Sequence, residues 1–201
     1  MTLPTHYDCR RGIYRWSPLG NLLSDDCTVA AYLHLVMIHN LAAASSWQRL
    51  IYRLGYRVPH SPYAVQEYVD FLATIGEKAG VGVNPDQFLA WEKEKGRILE
   101  YQYVQLNGLA APDLLDTLNQ AMIDWNGCLI TVALTNRAYD EGTLRGAWHL
   151  EPGDVPNQNL EHAVALVAYG PRMESVVTWG EMKDMTRPFT EATINGCWVF
   201  I

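Results

Sequence analysis

Cys27 and His162 carry the chemistry this sequence can be read for. Cys27 follows Ser24-Asp25-Asp26, residue types that cap helices, and precedes Thr28 to Ala44, a stretch that is apolar nearly all round. A thiol in the first turn of a long helix feels unpaired backbone N–H groups and the positive end of the macrodipole, which favour thiolate. His162 opens a β-rich run, Ala163 to Tyr169, straight after a Gly/Asp/Asn/Pro-rich loop from about Asn136 to Asn159. An imidazole there can project over a cleft. Together the two residue types permit nucleophilic catalysis in which sulfur attacks and imidazole moves the proton. With four cysteines and six histidines in the chain, spacing alone leaves another reading open, that Cys27 is a small buried apolar side chain.

The neighbours of this pair pull in both directions. One carboxylate at about 6 Å, with an effective dielectric near 40, disfavours a thiolate by roughly 1.4 kcal/mol, so Asp25 and Asp26 together oppose the helix terminus. A protonated His162 would favour the thiolate, and the two aspartates can equally serve as caps. Glu161, adjacent to His162 on a strand, points to the opposite face. His34 lies two turns beyond Cys27 and reads as a core histidine, while His149 in the 136–159 loop reads as surface or packing. Trp47, Trp91, Trp125 and Trp198 are most simply core.

The rest of the composition narrows the class. The chain has 201 residues, of which 49% are hydrophobic and 18% charged, with seven Trp and eleven Tyr, so it can build a real core. A net charge of −7, with only short basic runs at Arg10-Arg11 and Lys93/Lys95/Arg97, excludes a nucleic-acid surface. No CxxC pair appears among Cys9, Cys27, Cys128 and Cys197, so neither a metal nor another cofactor is expected. The Thr28–Ala44 stretch is interrupted by His34, His39 and Asn40 and is short for a bilayer, and the N-terminus lacks a signal-peptide pattern, so no membrane partner is expected. Unpaired cysteines suit a reducing compartment, the cytoplasm, or a virion if the chain is phage-derived.

The elements that must position the pair are helical first and β-rich second. Irregular residues 1–20 hold Tyr7, Tyr14 and Trp16, which can pin an arm onto the core. Ser61-Pro62 starts a helix with a Val65, Tyr68, Val69, Leu72 stripe that ends at Gly76; Asn84-Pro85 starts a short one through Trp91. Ala111-Pro112-Asp113 opens a third, ended by Asn126-Gly127. Cys128–Leu134, Ala163–Tyr169, Ser175–Trp179 and Cys197–Ile201 read as strands. The expectation is a single α+β domain, 1–201, with a mainly helical lobe (1–108) and a mainly antiparallel β lobe (109–201) sharing one cleft.

Five segments, in order, resemble the papain-like cysteine peptidases: Gly20-Asn21 through Asp26-Cys27-Thr28-Val29-Ala30-Ala31; Gly127-Cys128-Leu129-Ile130-Thr131-Val132-Ala133; His162-Ala163-Val164 through Tyr169-Gly170; Thr178-Trp179-Gly180; and Asn195-Gly196-Cys197 to Ile201. Residues 45–110 match nothing in that pattern. The chain is similar in particular to a group of small, largely uncharacterised papain-like proteins of bacteria and bacteriophages, through Val176-Val177-Thr178-Trp179-Gly180 and Met185-Thr186. The resemblance implies a papain-like fold, Cys27 as nucleophile and His162 as general base. It also implies that Asn21 stands at the place of the oxyanion-donating Gln, with the Cys27 N–H as second donor.

Two departures accompany it. The family's His-directing Asn falls at Val177, which cannot hydrogen-bond. Strand alternation puts Val177 and Trp179 on one face and Thr178 on the other, so the partners left to orient the imidazole are a backbone carbonyl, or Thr178 if the strand is bulged. Thr178 and Trp179 are the binding candidates beside the pair. With 26 residues ahead of Cys27 there is no room for a long guarding propeptide, which points to narrow specificity, an unusual substrate, or a fold kept for binding. The sequence therefore leaves two functions: a cysteine peptidase or amidase acting on a peptide or amide substrate, and a catalytically silent papain-like protein that binds protein partners, for example in a phage virion.

Overall fold

The computed structural model describes residues 3–10, 12–13, 15–19, 25–43, 61–142 and 146–201. Asn21, Ser24, Tyr14 and Trp47 lie outside the described residues. A seven-stranded antiparallel sheet carries helices on both faces. Its strands are β1 (Tyr7–Asp8), β2 (Tyr101–Tyr103), β3 (Cys128–Ala133), β4 (Glu161–Tyr169), β5 (Met173–Thr178), β6 (Glu181–Thr186) and β7 (Ile194–Phe200). The order is β2-β7-β3-β4-β5-β6, with β1 paired to the far end of β4.

Helix α1 (Cys27–Ala43) is central because its apolar residues leave no polar face. Val29, Ala30, Leu33, Leu35, Met37 and Ile38 are all buried. One side of it meets α2 (Ser61–Ile75) and α3 (Pro85–Glu94); another lies on Ala163, Ala165 and Val167 of β4. Alternation then sends Val164 and Leu166 to the second face. There they join Cys128, Ile130, Cys197 and Val199 under α4 (Ala111–Trp125) and Phe189 of α6 (Arg187–Thr193). A short α5 (Asn136–Glu141) follows β3. Caps are set as the sequence signals suggest: Asn84 accepts from the Gln87 N–H at 3.2 Å, and Asn126 ends α4 in the left-handed region at φ 56°. Gly127 follows at φ 115°, where a Cβ would stand 2.6 Å from Leu35 Cδ2, so α4 can turn into β3 against α1 only through glycine.

Two strands, among other elements, depart from the expectation. Glu181–Thr186, read as neither helix nor strand, is β6, with Lys183 and Met185 buried. It is covered by Trp148, whose backbone exchanges hydrogen bonds with Asp184 and Thr186 at 2.8 and 2.9 Å. β4 begins at Glu161, so His162 lies within the strand, opposite Val132. The N-terminal arm packs on its own chain: Cys9 N–H donates to Val167 O at 3.0 Å, and Tyr169 O–H donates to Pro4 O at 3.0 Å.

Candidate active site

Cys27 is the first residue of α1, and the Asp26 carbonyl accepts the first helical bond, from Ala30 N–H, at 2.9 Å. The thiol lies against the backbone of β4. N–H groups of Ala163 and Thr28 point at the sulfur and favour thiolate, but burial outweighs them and Asp26 and Asp25 add to it, so the thiol is pushed above its ordinary value. Asp26 is fully buried and Asp25 exposed. The structure thus brings Cys27 beside the residue that follows His162.

His162 is buried, and burial pulls its imidazole down to about 4. Nε2 lies 2.6 Å from Thr178 Oγ1, and the ring stacks on Trp179 with centroids 4.6 Å apart and planes 16° from parallel. Two expectations are corrected here. The β4–β5 register pairs Leu166 with Val176 and Ala165 with Val177; continued, it puts Thr178 on the face of His162, one diagonal step away. No bulge is required at Thr178; the register shift lies at Leu166/Ala168. Trp179 is not on the face of Val177 either, because the strand ends at Thr178 and Trp179 takes φ 47°, which swings the indole over the imidazole. Val177 faces the α1 side of the sheet. The next residue, Gly180, is at φ 81°, and a Cβ there would meet Pro18 N at 2.6 Å, so the arm packs this turn closely.

A cavity of about 330 Å³ opens at Cys27. Thr28, Gly82, Val83, Pro85, Glu161 and Trp198 are among its walls. Thr28 Oγ1 donates to Val83 O at 2.8 Å, tying the 82–85 segment to the start of α1, and Trp198 Nε1 donates to Asp86 at 2.8 Å. This wall comes from the part of the sequence that matched no motif; Asn84-Pro85 was readable only as a helix start. A larger cavity, about 920 Å³, lies between the arm, α4 and β7 and includes neither Cys27 nor His162. Size does not decide between them; the smaller one holds the nucleophilic group.

The other candidates fall to structural roles. His34 is buried, 2.8 Å from Ser17 O through Nε2, with its imidazole drawn down to about 4 by burial. His149 is exposed, 3.0 Å from Ala147 O. Among the described residues no cluster of His, Cys, Asp and Glu would hold a metal ion, and no helix is long and apolar enough to cross a membrane.

Solved structures share this architecture, among them the three that follow. Xylellain, a cysteine protease from Xylella fastidiosa, superposes with a TM-score of 0.68 at 14% identity, covering 99% of this chain and 86% of that one. The fold is that of the papain-like cysteine peptidases. Digestive procathepsin L 3 of the Tenebrio molitor larval midgut gives a TM-score of 0.66 at 11% identity, covering 100% of this chain and 70% of that one. The Carica candamarcensis cysteine protease CMS1MS2, solved in complex with E-64, gives 0.54 at 17%, with 98% of each chain covered. No family model and no curated protein matches the sequence. The papain-like α+β fold, helical part and antiparallel sheet, is therefore carried by three-dimensional form at identities where sequence comparison falls silent.

Proposed function

We propose that this chain is a papain-like thiol hydrolase acting on a peptide or other amide bond. Cys27 is the nucleophile and His162 the general base, and both rest uncharged. The observation that carries this reading is the fixed imidazole: Thr178 Oγ1 at 2.6 Å from Nε2, under the stacked Trp179. With Nε2–H donating to Thr178, Nδ1 keeps its lone pair for the thiol proton. As the sulfur adds to the carbonyl carbon, that proton passes to His162, and the Ala163 and Thr28 N–H groups hold whatever negative charge develops on sulfur. The Cys27 N–H serves the oxyanion, together with the Asn21 amide by resemblance to the family. Imidazolium then protonates the leaving amine, and water, deprotonated by the same ring, releases the acyl group from sulfur.

A second reading, a silent papain-like fold that binds partners, for example in a phage particle, is favoured by the raised thiol and lowered imidazole, which leave no resting ion pair. Labelling by a peptidyl electrophile, mapped to Cys27 by peptide mass, separates the two. Wild type is expected to label at neutral pH, with a loss of at least about 100-fold in His162→Ala, the scale of general-base catalysis. Labelling that occurs only with small alkylating reagents at alkaline pH, at equal rates in the variant, would establish the silent reading instead.

A further inference from the structure

Glu161 is the one charged residue among the described residues that line the Cys27 cavity. It is exposed, and its Oε1 accepts from Asn195 Nδ2 at 2.7 Å. Among the described residues no Lys, Arg or His pairs with it, in contrast to Asp8, Glu67, Glu92, Glu141, Asp154 and Glu174, each of which has a basic partner. The carboxylate is thus positioned by a neutral amide at the mouth of the cavity. Val83, Pro85, Ala163 and Trp198 supply an apolar part of the wall, and Thr28, Asn84 and Thr131 a polar part. Trp198 is fixed by its bond to Asp86.

We propose that this cavity selects a substrate with a cationic side chain of the lysine or arginine kind beside the bond that Cys27 attacks. The proposal rests on the reading of Cys27 as nucleophile and deepens it. Such a side chain is amphipathic: its methylene stem covers apolar surface while its head stays with charge and water. Here the stem lies on Val83, Pro85 and Trp198, and the head makes a charge-assisted hydrogen bond to Glu161. An anionic side chain meets repulsion at the same place, and the chain's net charge of −7 disfavours its approach. Because Glu161 is exposed, the expected discrimination is moderate, about tenfold, which corresponds to about 1.4 kcal/mol.

Two pairs of matched reagents test this at Cys27, each read by peptide mapping. The first is a cationic aminoethyl methanethiosulfonate against the neutral ethyl analogue, both normalised to their rates with a free thiol. In each, the thiolate takes the alkylthio group and methanesulfinate leaves, so no hydrolysis is required. The second is a peptidyl electrophile bearing lysine against one bearing norleucine. The cation-to-neutral ratio is expected at about ten in both pairs, falling to within twofold of unity in Glu161→Gln and in wild type at 1 M salt, where the Debye length is about 3 Å. Glu161→Asp is expected to keep most of the ratio. A wild-type ratio within twofold of unity in the first pair, or one unchanged in Glu161→Gln, overturns the proposal. If the peptidyl electrophiles leave Cys27 unlabelled while the Glu161-dependent ratio persists in the first pair, the hydrolase reading fails and the selectivity stands.

Discussion

Two buried polar clusters in this protein are built on opposite principles. In the helical part, Tyr32 O–H donates to Glu92 Oε2 at 2.6 Å, and Arg97 bridges Glu92 Oε1, at 3.0 Å, and Glu67. Glu92 is fully buried and Glu67 nearly so, and a permanent guanidinium answers both. At the starts of α1 and β4, by contrast, Cys27 lies against the Ala163 backbone, and His162, one residue earlier on β4, is held by a neutral hydroxyl, Thr178 Oγ1. Burial raises the thiol and lowers the imidazole, so both groups rest neutral. A structural cluster is stabilised by completing its charges. A cluster able to move a proton does better with groups that become charged only as the proton crosses between them, provided their orientation is set beforehand.

That contrast fixes how stability responds to acid. His162 and His34 each sit at about 4 in the folded state, below the ordinary 6.5, so the unfolded chain binds more protons between those values. Their contribution is present above about pH 6.5 and lost as pH falls toward 4, up to about 3 kcal/mol for each ring. Glu174, raised to about 7 chiefly by burial, works the other way: its folded form holds the proton more tightly, so stability rises as pH falls through 7. It returns roughly 3 kcal/mol by the time ordinary carboxylates titrate. The net expectation is a loss of about 3 kcal/mol between pH 6.5 and 4 in urea unfolding. His162→Gln should show a slope about one proton shallower. A variant slope equal to wild type would mean that the ring is not held neutral, and the contrast would collapse.

The charged cluster is broken at Arg97. Removing one partner of a buried pair costs about 3–5 kcal/mol, but 36% of the Arg97 side chain is exposed, so Arg97→Met is expected to lose about 2–3 kcal/mol in urea. The loss should shrink at low pH as Glu92, whose carboxyl burial raises above its ordinary value, takes up a proton. A change below about 0.5 kcal/mol would show that water, not the guanidinium, answers the two carboxylates.

Legibility in the sequence followed the same division. α1 was readable because it is apolar nearly all round behind a cap signal, and α2, α3 and α4 because Pro starts and Gly or Asn ends are local signals. β6 was not: Glu181-Met182-Lys183-Asp184-Met185-Thr186 has a polar texture, its hairpin with β5 turns on left-handed Trp179 and Gly180, and Trp148, which meets its outer edge, is remote in sequence. At the candidate site, the order of motifs pointed to Cys27 and His162. The face on which Trp179 ends depends on one left-handed residue, which alternation has no means of anticipating. The burial of Asp26 and the 82–85 wall of the cleft are tertiary facts of the same kind.

The finest test concerns Thr178 itself. If orientation set in advance is what distinguishes the neutral cluster, then removing the one hydrogen bond that turns the ring should slow chemistry at Cys27 while costing little in size. Thr178→Val exchanges Oγ1 for a methyl group and leaves His162 Nε2 without its partner at 2.6 Å. The Trp179 stack remains, worth about 0.5–1.5 kcal/mol, and resists ring rotation without selecting which nitrogen faces the thiol. The second-order rate of peptidyl labelling at Cys27 is expected to fall about tenfold, equivalent to about 1.4 kcal/mol. Thr178→Ser restores the hydroxyl and should restore most of the rate. A Thr178→Val rate within twofold of wild type would mean that stacking alone holds the imidazole, and that Trp179 is the positioning residue.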